Sequence, residues 1–342
     1  MKYNCGIIGL GRIGCGFDDN PKKTSISTHA GAYSKSKYAN LVALCDIDKT
    51  KLVKYGKKYN VSGIYTDLNK MFQNENLDCI SICTLSDTHL DIVKSATKYA
   101  IKGIFVEKPI SDSLPNAKKI IDLCKQKNVK LQVDHQRRFE PLYHKIKNLI
   151  NDKKLGFIQQ LSINYVAGIA NTGSHFFDLM RYLMGEIEWV QGQYSKNASN
   201  NPSDPNIDGV LKFRNGAFCN VNAFDIKNFR IFELDIIGSK GRILLDLTES
   251  SARYFQVGKK GKGVKYTGLI EKPFSQKKQK DSIVLGVENL LNSIENNTEN
   301  LCKGEDGYAS LEAVIAMKNS AKHNGKLIHL PLKNNTDKIS SK

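Results

Sequence analysis

Residues 2–14 read KYNCGIIGLGRIG, an apolar strand pattern followed by glycines at positions 9, 11 and 14. After a strand, the first glycine of such a set permits a tight turn, and the second lets the backbone approach a pyrophosphate. The third lets a following helix pack closely, with its N-terminus facing the phosphates. This context predicts a dinucleotide site, with a plain tight turn or a methyl-donor site as the alternatives.

A second strand, NLVALCD at 40–46, ends on Asp46, where an acid accepts hydrogen bonds from adenosine ribose hydroxyls. A carboxylate there repels a 2′-phosphate, so we expect NAD, with NADP disfavoured. Asp46 follows Gly14 by 32 residues, whereas about 20 is usual. We therefore interpret residues 16–29 as an inserted loop, which either reaches the cofactor or substrate or is a surface elaboration.

Strand and helix patterns alternate with short connections up to residue 136, which predicts a doubly wound parallel sheet with right-handed crossovers. Further along, successive strand patterns with tight turns, such as RNG at 214–216, predict a mostly antiparallel sheet. The fold class is therefore α/β with two domains. We place the boundaries at 1–134 and 135–332, followed by a polar tail, 333–342, that is expected to be disordered.

The chain has 342 residues, a length that suits two domains, and a formal net charge of +17. Only eight of its 51 basic residues are arginine, and the lysines are spread along the chain, which argues against nucleic acid as a partner. No apolar run is long enough to span a membrane, and the N-terminus lacks the order of a signal peptide, so we expect a cytoplasmic protein. The eight cysteines lack CxxC or zinc spacing, which predicts reduced thiols and no metal site.

The stretch IFVEKP at 104–109 places Glu107 and Lys108 at the end of a buried strand, and Pro109 stiffens the exit. In an open parallel sheet, ligands bind beyond the carboxyl ends of the strands. A partly desolvated lysine beside a cationic nicotinamide loses its proton more readily and can exchange a proton with a substrate oxygen. The alternative is a Glu–Lys surface pair.

A second candidate comes from TGSHFFDLMRYLMG at 172–185, where Thr172 or Ser174 can cap a helix whose first turn contains His175. The positive end of the helix disfavours imidazolium, so His175 should stay neutral and able to take a proton. Asp178 lies three residues on and could contact substrate. The alternative for His175 is a packing role on a partly apolar helix.

The segment DHQRRF at 134–139 begins just past the last parallel strand. Arg137 and Arg138 could steady phosphate or carboxylate groups there, because a guanidinium binds such groups with two hydrogen bonds. Ordinary solvated arginines are the alternative.

These segments together, in this order along roughly residues 1–330, resemble the Gfo/Idh/MocA family, named after glucose–fructose oxidoreductase, inositol dehydrogenase and a rhizopine-catabolism protein. The resemblance implies a Rossmann domain, then an α/β domain with a large open sheet that binds substrate and pairs subunits into homodimers or homotetramers. It also implies NAD(P)-linked oxidation or reduction of a sugar, cyclitol or nucleotide-sugar hydroxyl. Its catalytic lysine falls on Lys108 and its second-domain histidine on His175. His175 would then remove the hydroxyl proton while Lys108 polarises the same oxygen.

The chain departs from many family members at two positions. Asn171 stands four residues before the histidine, where many members have Asp, and His135 stands where many have Asn. A second carboxylate base is therefore missing, although Asn can still hold a hydroxyl by hydrogen bonds. The expected substrate-binding residues are Asn171, Asp178, Arg137 and His135. The expected cofactor-binding residues are Gly9, Gly11, Arg12, Ile13, Gly14, Asp46, Thr84, Glu107 and Lys108.

The resulting hypothesis is an NAD(P)-dependent oxidoreductase for a sugar or nucleotide-sugar, in the manner of family members that act on sugars for surface polysaccharides. The alternatives are a cyclitol dehydrogenase, a glycosidase that uses bound NAD for transient oxidation, and a non-catalytic NAD-binding sensor. A sensor needs no proton-transfer pair, so the presence of Lys108 and His175 argues against it.

Overall fold

A six-stranded parallel sheet in the order β3-β2-β1-β4-β5-β6 organises the first part of the chain. The computed structural model describes residues 2–20, 22, 24–259, 265–274 and 281–339. The strands are β1 (Tyr3–Ile8), β2 (Ala39–Cys45), β3 (Gly63–Tyr65), β4 (Cys79–Ile82), β5 (Gly103–Val106) and β6 (Lys130–Val133). Helices α1 (His29–Lys35), α2 (Lys49–Tyr59), α3 (Leu68–Asn74), α4 (His89–Ala96) and α5 (Leu114–Gln126) connect them.

Local sequence sets these elements. All four residues of β4 and of β5 are buried, as expected of strands covered on both faces. Helix α2 begins where the Asp48 side chain accepts hydrogen bonds from the backbone N–H groups of Thr50 and Lys51. It ends at Asn60, which adopts a left-handed conformation with φ 54°.

The chain divides into two compact units, Met1–Glu140 with Gln279–Leu311, and Pro141–Lys278 with Glu312–Lys342. The segment 279–311 thus belongs to the first unit, whereas the sequence boundaries assign it to the second domain. Its helix α8 (Ser282–Glu295) is tied to the parallel sheet, since Gln132 Nε2 on β6 donates to the Gly286 carbonyl at 2.8 Å. The pattern of an amphipathic helix shows that one face is buried, but not which sheet buries it.

The second unit is built on a nine-stranded sheet in the order β14-β13-β12-β11-β7-β10-β9-β8-β15. Its strands are β7 (Ile158–Tyr165), β8 (Ile187–Tyr194), β9 (Ile207–Phe213), β10 (Phe218–Ala223), β11 (Glu233–Gly238), β12 (Gly241–Asp246), β13 (Ser251–Val257), β14 (Leu269–Lys272) and β15 (Ile328–His329). The β10–β7 pair is parallel, and the other recorded pairs of this sheet are antiparallel. Helices α6 (Pro141–Asn151) and α7 (Gly173–Met184) belong to this unit, and the division between units falls within α9 (Gly304–Lys322).

The predicted fold class, a doubly wound parallel sheet plus a mostly antiparallel sheet, is confirmed. The sequence reading missed β3, α3, β13 and β14. Two of these elements, β3 and β14, have only three and four residues and lie at sheet edges, where the apolar pattern is weak.

Of the tail predicted to be disordered, residues 333–339 are described and 340–342 lie outside the described residues. Within it, Asp337 Oδ2 accepts a hydrogen bond from Asn319 Nδ2 at 2.8 Å, and Ile339 is buried. All eight cysteines lie within the described residues and are buried, and none is joined to another by a disulfide. None of the helices in the described part of the chain combines the length and the apolar character needed to cross a membrane.

Candidate active site

Turns at residues 12–15 and a 3₁₀ helix (Gly16–Asp18) follow Gly11, and helix α1 begins only at His29. The backbone N–H of His29 donates to the carbonyl of Ile13 at 3.1 Å, and that of Ala30 donates to Gly14 at 3.0 Å. In an unbroken α-helix, residues 17 and 18 would donate to these two carbonyls. Helix α1 therefore continues the same hydrogen-bond ladder after a detour of twelve residues, 17–28.

This detour explains the long separation between the glycine turn and the acid. Removing the twelve residues of 17–28 from the 32-residue separation leaves 20 residues between Gly14 and Asp46, which is the usual distance of about 20. The predicted insertion at 16–29 is therefore a segment spliced into the first helix of the fold. Without this segment, the spacing between the glycine turn and Asp46 is the usual one.

The three glycines have the different environments that a dinucleotide turn needs. Gly9 has φ +92°, a conformation that favours glycine. A Cβ on Gly11 would meet no atom outside its chain neighbours within 4 Å, so the space above it is open. A Cβ on Gly14 would lie 2.2 Å from the Gly9 carbonyl oxygen, so only glycine permits this close approach. The turn fits a pyrophosphate at Gly11.

Asp46 follows the last residue of β2 and points to this turn. Its Oδ2 accepts from the Leu10 N–H at 2.6 Å, and its Oδ1 accepts from the Asp48 N–H at 2.9 Å. Each carboxylate oxygen retains a second lone pair, so ribose hydroxyls can still donate to it. The position suits the predicted role.

The inserted segment is held at both ends. Asp18 Oδ1 accepts from the Ser27 N–H at 2.8 Å, and Asp18 Oδ2 accepts from the Thr28 hydroxyl. The Arg12 guanidinium lies 4.7 Å from the centroid of the Phe17 ring. These contacts close the segment at its base, next to the glycine turn.

Asp19 ties the segment to α2. It accepts hydrogen bonds from Lys54 Nζ at 2.7 Å, Tyr55 OH at 2.8 Å and Lys58 Nζ at 2.9 Å. Burial alone would raise the pKa of Asp19, but these hydrogen bonds and the charge of Lys58 lower the pKa to about 2. The carboxylate is therefore ionised across the physiological range.

Glu107 and Lys108 follow β5 directly, as predicted, and Lys108 is half-buried. The Glu107 carboxyl is buried, and its Oε1 lies 3.0 Å from His29 Nε2. Thr84, close after β4, places its hydroxyl 2.7 Å from that of Thr88. The roles of Glu107, Lys108 and Thr84 in cofactor binding stay predictions.

The residues after β6 divide into two groups. Arg138 is buried, with its guanidinium 3.0 Å from Asp306 Oδ1, so this arginine has a structural partner inside the first unit. Arg137 is half-buried, whereas His135 is 2% exposed. Arg137 therefore remains the better candidate of the two arginines for contact with a substrate anion.

In the second unit, His175 lies in the first turn of α7, as predicted, and is half-buried. Thr172 occupies the N-cap position but makes no side-chain cap hydrogen bond, whereas the Ser174 hydroxyl donates to the Asn171 carbonyl at 3.1 Å. The Asp178 side chain is 1% exposed.

Two residues that the sequence reading missed hold the loop before His175. Buried Asp204 accepts from the Ala170 N–H at 2.7 Å and from the Asn171 N–H at 2.8 Å. Asn206 Oδ1 accepts from the Gly168 N–H at 2.9 Å. The available sequence signal was a pair of polar residues, Asp204 and Asn206, in a loop, which does not reveal partners more than 30 residues away.

The comparison with protein families matches both units of the chain. The model described as the oxidoreductase family, NAD-binding Rossmann fold, of Gfo/Idh/MocA matches residues 3–135. The model for the C-terminal alpha/beta domain of the same family matches residues 169–328. Together they cover most of the 342 residues.

Several relatives span nearly the whole chain. A myo-inositol 2-dehydrogenase of Thermotoga maritima is 26% identical and covers 92% of this chain and 95% of its own length. A scyllo-inositol 2-dehydrogenase (NAD(+)) of Bacillus subtilis is 25% identical over 97% of each chain. The crystal structure of the WlbA dehydrogenase from Bordetella pertussis, in complex with NADH and UDP-GlcNAcA, superposes with a TM-score of 0.76 at 21% identity, covering 97% of this chain and 100% of that one. This last likeness shows a shared fold.

Proposed function

Because the chain belongs to the Gfo/Idh/MocA oxidoreductase family and has its NAD-binding Rossmann domain, we propose that it transfers a hydride between NAD and a sugar or nucleotide-sugar. The reacting group would be a hydroxyl in one direction and a keto group in the other. The observation that carries the proposal is the open approach to Gly11 beside Asp46, which suits a dinucleotide whose ribose keeps its 2′-hydroxyl.

The first unit supplies the cofactor residues. The backbone at Gly9, Gly11 and Gly14 receives the pyrophosphate, with Arg12 and Ile13 in the same turn, and Asp46 accepts from the ribose hydroxyls. Thr84, Glu107 and Lys108 lie beyond the carboxyl ends of β4 and β5, the edge of an open parallel sheet where ligands bind. When bound, NAD supplies the hydride acceptor.

Lys108 and His175 are the proposed proton-handling residues. Lys108, a half-buried residue, follows β5 in the first unit, and its ammonium can polarise a substrate oxygen. His175 lies in the first turn of α7 in the second unit, where the helix dipole favours neutral imidazole over imidazolium. In the oxidative direction, neutral imidazole takes the hydroxyl proton. In the reductive direction, imidazolium returns it.

Asn171, Asp178, Arg137 and His135 are the proposed substrate-binding residues. Arg137 suits the phosphate of a nucleotide-sugar, because a guanidinium binds phosphate with two hydrogen bonds. The neighbour crystallised with UDP-GlcNAcA has this fold and supports the nucleotide-sugar choice. A cyclitol dehydrogenase is the second candidate, favoured by the two inositol dehydrogenases that span nearly the whole chain.

The test is a panel of nucleotide-sugars, free sugars and inositols, with NADH formation followed by absorbance. Lys108→Ala and His175→Ala should each lower kcat/KM by about 10²–10⁴-fold, the usual size of a general acid–base contribution. Lys102→Ala, just before β5 begins, and His329→Ala on β15 are matched controls and should keep near wild-type turnover.

Unchanged turnover in both active-site variants would contradict the proposed chemistry. Product release from a glycoside without net NADH would indicate the glycosidase alternative instead. Tight NAD binding with no turnover on any member of the panel would indicate a sensor.

We also propose that copies of the chain pair through the nine-stranded sheet, as the family resemblance implies. Light scattering coupled to size-exclusion chromatography tests this. A mass of one 38.3 kDa chain at micromolar concentration would contradict it.

A further inference from the structure

A buried polar network joins α1 to three strands of the parallel sheet. The His29 ring is fully buried, with Nδ1 2.8 Å from Ser81 Oγ on β4 and Nε2 3.0 Å from Glu107 Oε1 after β5. Asp134 Oδ2, after β6, lies 3.7 Å from the same Nε2. The Tyr33 hydroxyl, one turn along α1, lies 2.9 Å from Ser81 Oγ.

The protonation states of these groups bear on which of them donates and which accepts in each hydrogen bond. Burial lowers the pKa of His29 to about 4, so the ring is neutral near pH 7. Burial, and then the charge of Glu107, raise the pKa of Asp134 well above its usual range. A carboxylate at Glu107 can only accept, and in that arrangement His29 Nε2–H donates to Glu107 while Nδ1 accepts from the Ser81 hydroxyl. Ser81 Oγ in turn accepts from Tyr33.

His29 connects this network both to the inserted segment and to β5. Its backbone resumes the helical ladder after the inserted segment, and its ring lies edge-on to Phe105 of β5, with ring centroids 4.9 Å apart. Glu107, which it holds, is the residue immediately before Lys108. A displacement of His29 would therefore disturb Glu107, which is next to Lys108 at the end of β5.

We propose that His29 is a positioning residue, which holds Glu107 and thereby aims Lys108, and which couples the inserted segment to the active site. The inference rests on the proposed role of Lys108. A side chain near the chemistry that moves by about 1 Å can cost on the order of 10²-fold in rate.

The side chains of His29, Glu107 and Asp134 offer ligand atoms within 4.8 Å of one another, a spacing that a cation could also use. The hydrogen bonds favour the positioning role, because both ring nitrogens of His29 already have partners at 2.8 and 3.0 Å. Metal content is therefore an outcome of the test.

A matched pair of variants separates the two hydrogen bonds of the ring. The amide nitrogen of Gln in His29→Gln can take the place of Nε2 and donate to Glu107. The shorter amide in His29→Asn can reach only the Ser81 side. Ser293→Ala, which removes a buried hydroxyl that donates to the Leu290 carbonyl at 2.7 Å, is the control for a general loss of stability in the same unit.

We expect His29→Asn to lower kcat by about 10²-fold, while His29→Gln stays within about fivefold of wild-type kcat. Three results would overturn the role. In the first, kcat falls equally in both variants and follows the loss in urea midpoint, as it does in Ser293→Ala. In the second, His29→Asn keeps wild-type kcat. In the third, the protein holds a stoichiometric metal whose removal abolishes turnover.

A second readout needs no substrate, so it stands even if the proposed function fails. Trace acetylation of the NAD-free protein, read by mass spectrometry, compares the reactivity of Lys108 with that of the other lysines. His29→Asn should raise the relative reactivity of Lys108 about threefold or more by loosening the strand end, and His29→Gln should not. Identical Lys108 labelling in wild type and His29→Asn would refute the coupling, whatever the enzyme acts on.

Discussion

Gly11 and Gly14 lie three residues apart, yet the same added methyl group has different consequences at each. At Gly14 it would lie 2.2 Å from a backbone oxygen, and backbone cannot rotate away as a side chain can. At Gly11 it would enter open space, which is the space that a pyrophosphate needs. The added methyl group would therefore strain the fold at Gly14 and occupy the proposed pyrophosphate space at Gly11.

We therefore expect Gly14→Ala to destabilise the protein by about 2 kcal/mol, within the range for overpacked sites. Gly11→Ala should leave the urea midpoint of the free protein unchanged but weaken NAD binding at least tenfold, about 1.4 kcal/mol. Urea unfolding and calorimetry with NAD measure both. If Gly11→Ala binds NAD as wild type does, the turn is not the pyrophosphate site.

Asp46 should decide between the two nicotinamide cofactors. Asp46→Asn keeps the shape and removes the charge that repels a 2′-phosphate, so the preference for NAD over NADP should fall by about tenfold or more. Asp48→Asn, two residues on at the N-cap of α2, is the control and should keep the preference. Calorimetry with both cofactors measures it, and an unaltered ratio in Asp46→Asn would contradict the assignment.

Residues whose roles follow from a local motif were open to prediction from sequence. The glycines, Asp46 and Lys108 belong to short patterns with a known relation to a strand end. The partners of His29 could not be predicted from the sequence, because Ser81 and Glu107 lie 52 and 78 residues away along the chain. The periodicity of apolar residues along the sequence does not indicate contacts between residues so far apart.

The inserted segment is the element that departs from the ordinary fold. Its existence and its approximate bounds, predicted at 16–29 and observed as the detour 17–28, followed from the 32-residue separation between Gly14 and Asp46. The attachment of this segment to α2 through Asp19 could not be predicted, because the sequence does not show that Lys54 and Lys58 face Asp19.

The attachment predicts a pH-dependent contribution to stability. Because the pKa of Asp19 is lowered to about 2 in the folded protein, the contribution is full above the unfolded pKa, about 4, and is lost as the pH falls towards 2. Asp19→Asn should cost about 1 kcal/mol or less at pH 7, since the cluster is partly exposed. The difference from wild type should shrink below about pH 4.

Urea unfolding of wild type and Asp19→Asn between pH 7 and pH 3 measures this difference. Lys57→Ala, on the same helix beside Lys58, is the control. A gap between wild type and Asp19→Asn that is the same at pH 3 as at pH 7 would mean that the ion pairs contribute nothing.

On the scale of the whole molecule, the candidate cofactor residues all belong to the first unit. NAD should therefore slow amide hydrogen exchange most at residues 9–14 and 84–89, and leave β11 and β12 of the second unit unchanged. Mass spectrometry of exchanged peptides measures this. Protection centred on the nine-stranded sheet would place the cofactor elsewhere.

The sequence by itself determined the alternation of strands and helices, the glycine turn with its acid, the Glu107–Lys108 pair that follows β5 and the histidine in the first turn of α7. These follow from periodicity, caps and turn chemistry, which act over a few residues. Only the tertiary structure decided that α8 covers the parallel sheet, that the first helix resumes after its detour, and that His29 lies between Ser81 and Glu107. Those features depend on which distant surfaces meet, and burial selects that pairing through contacts that no short stretch of sequence contains.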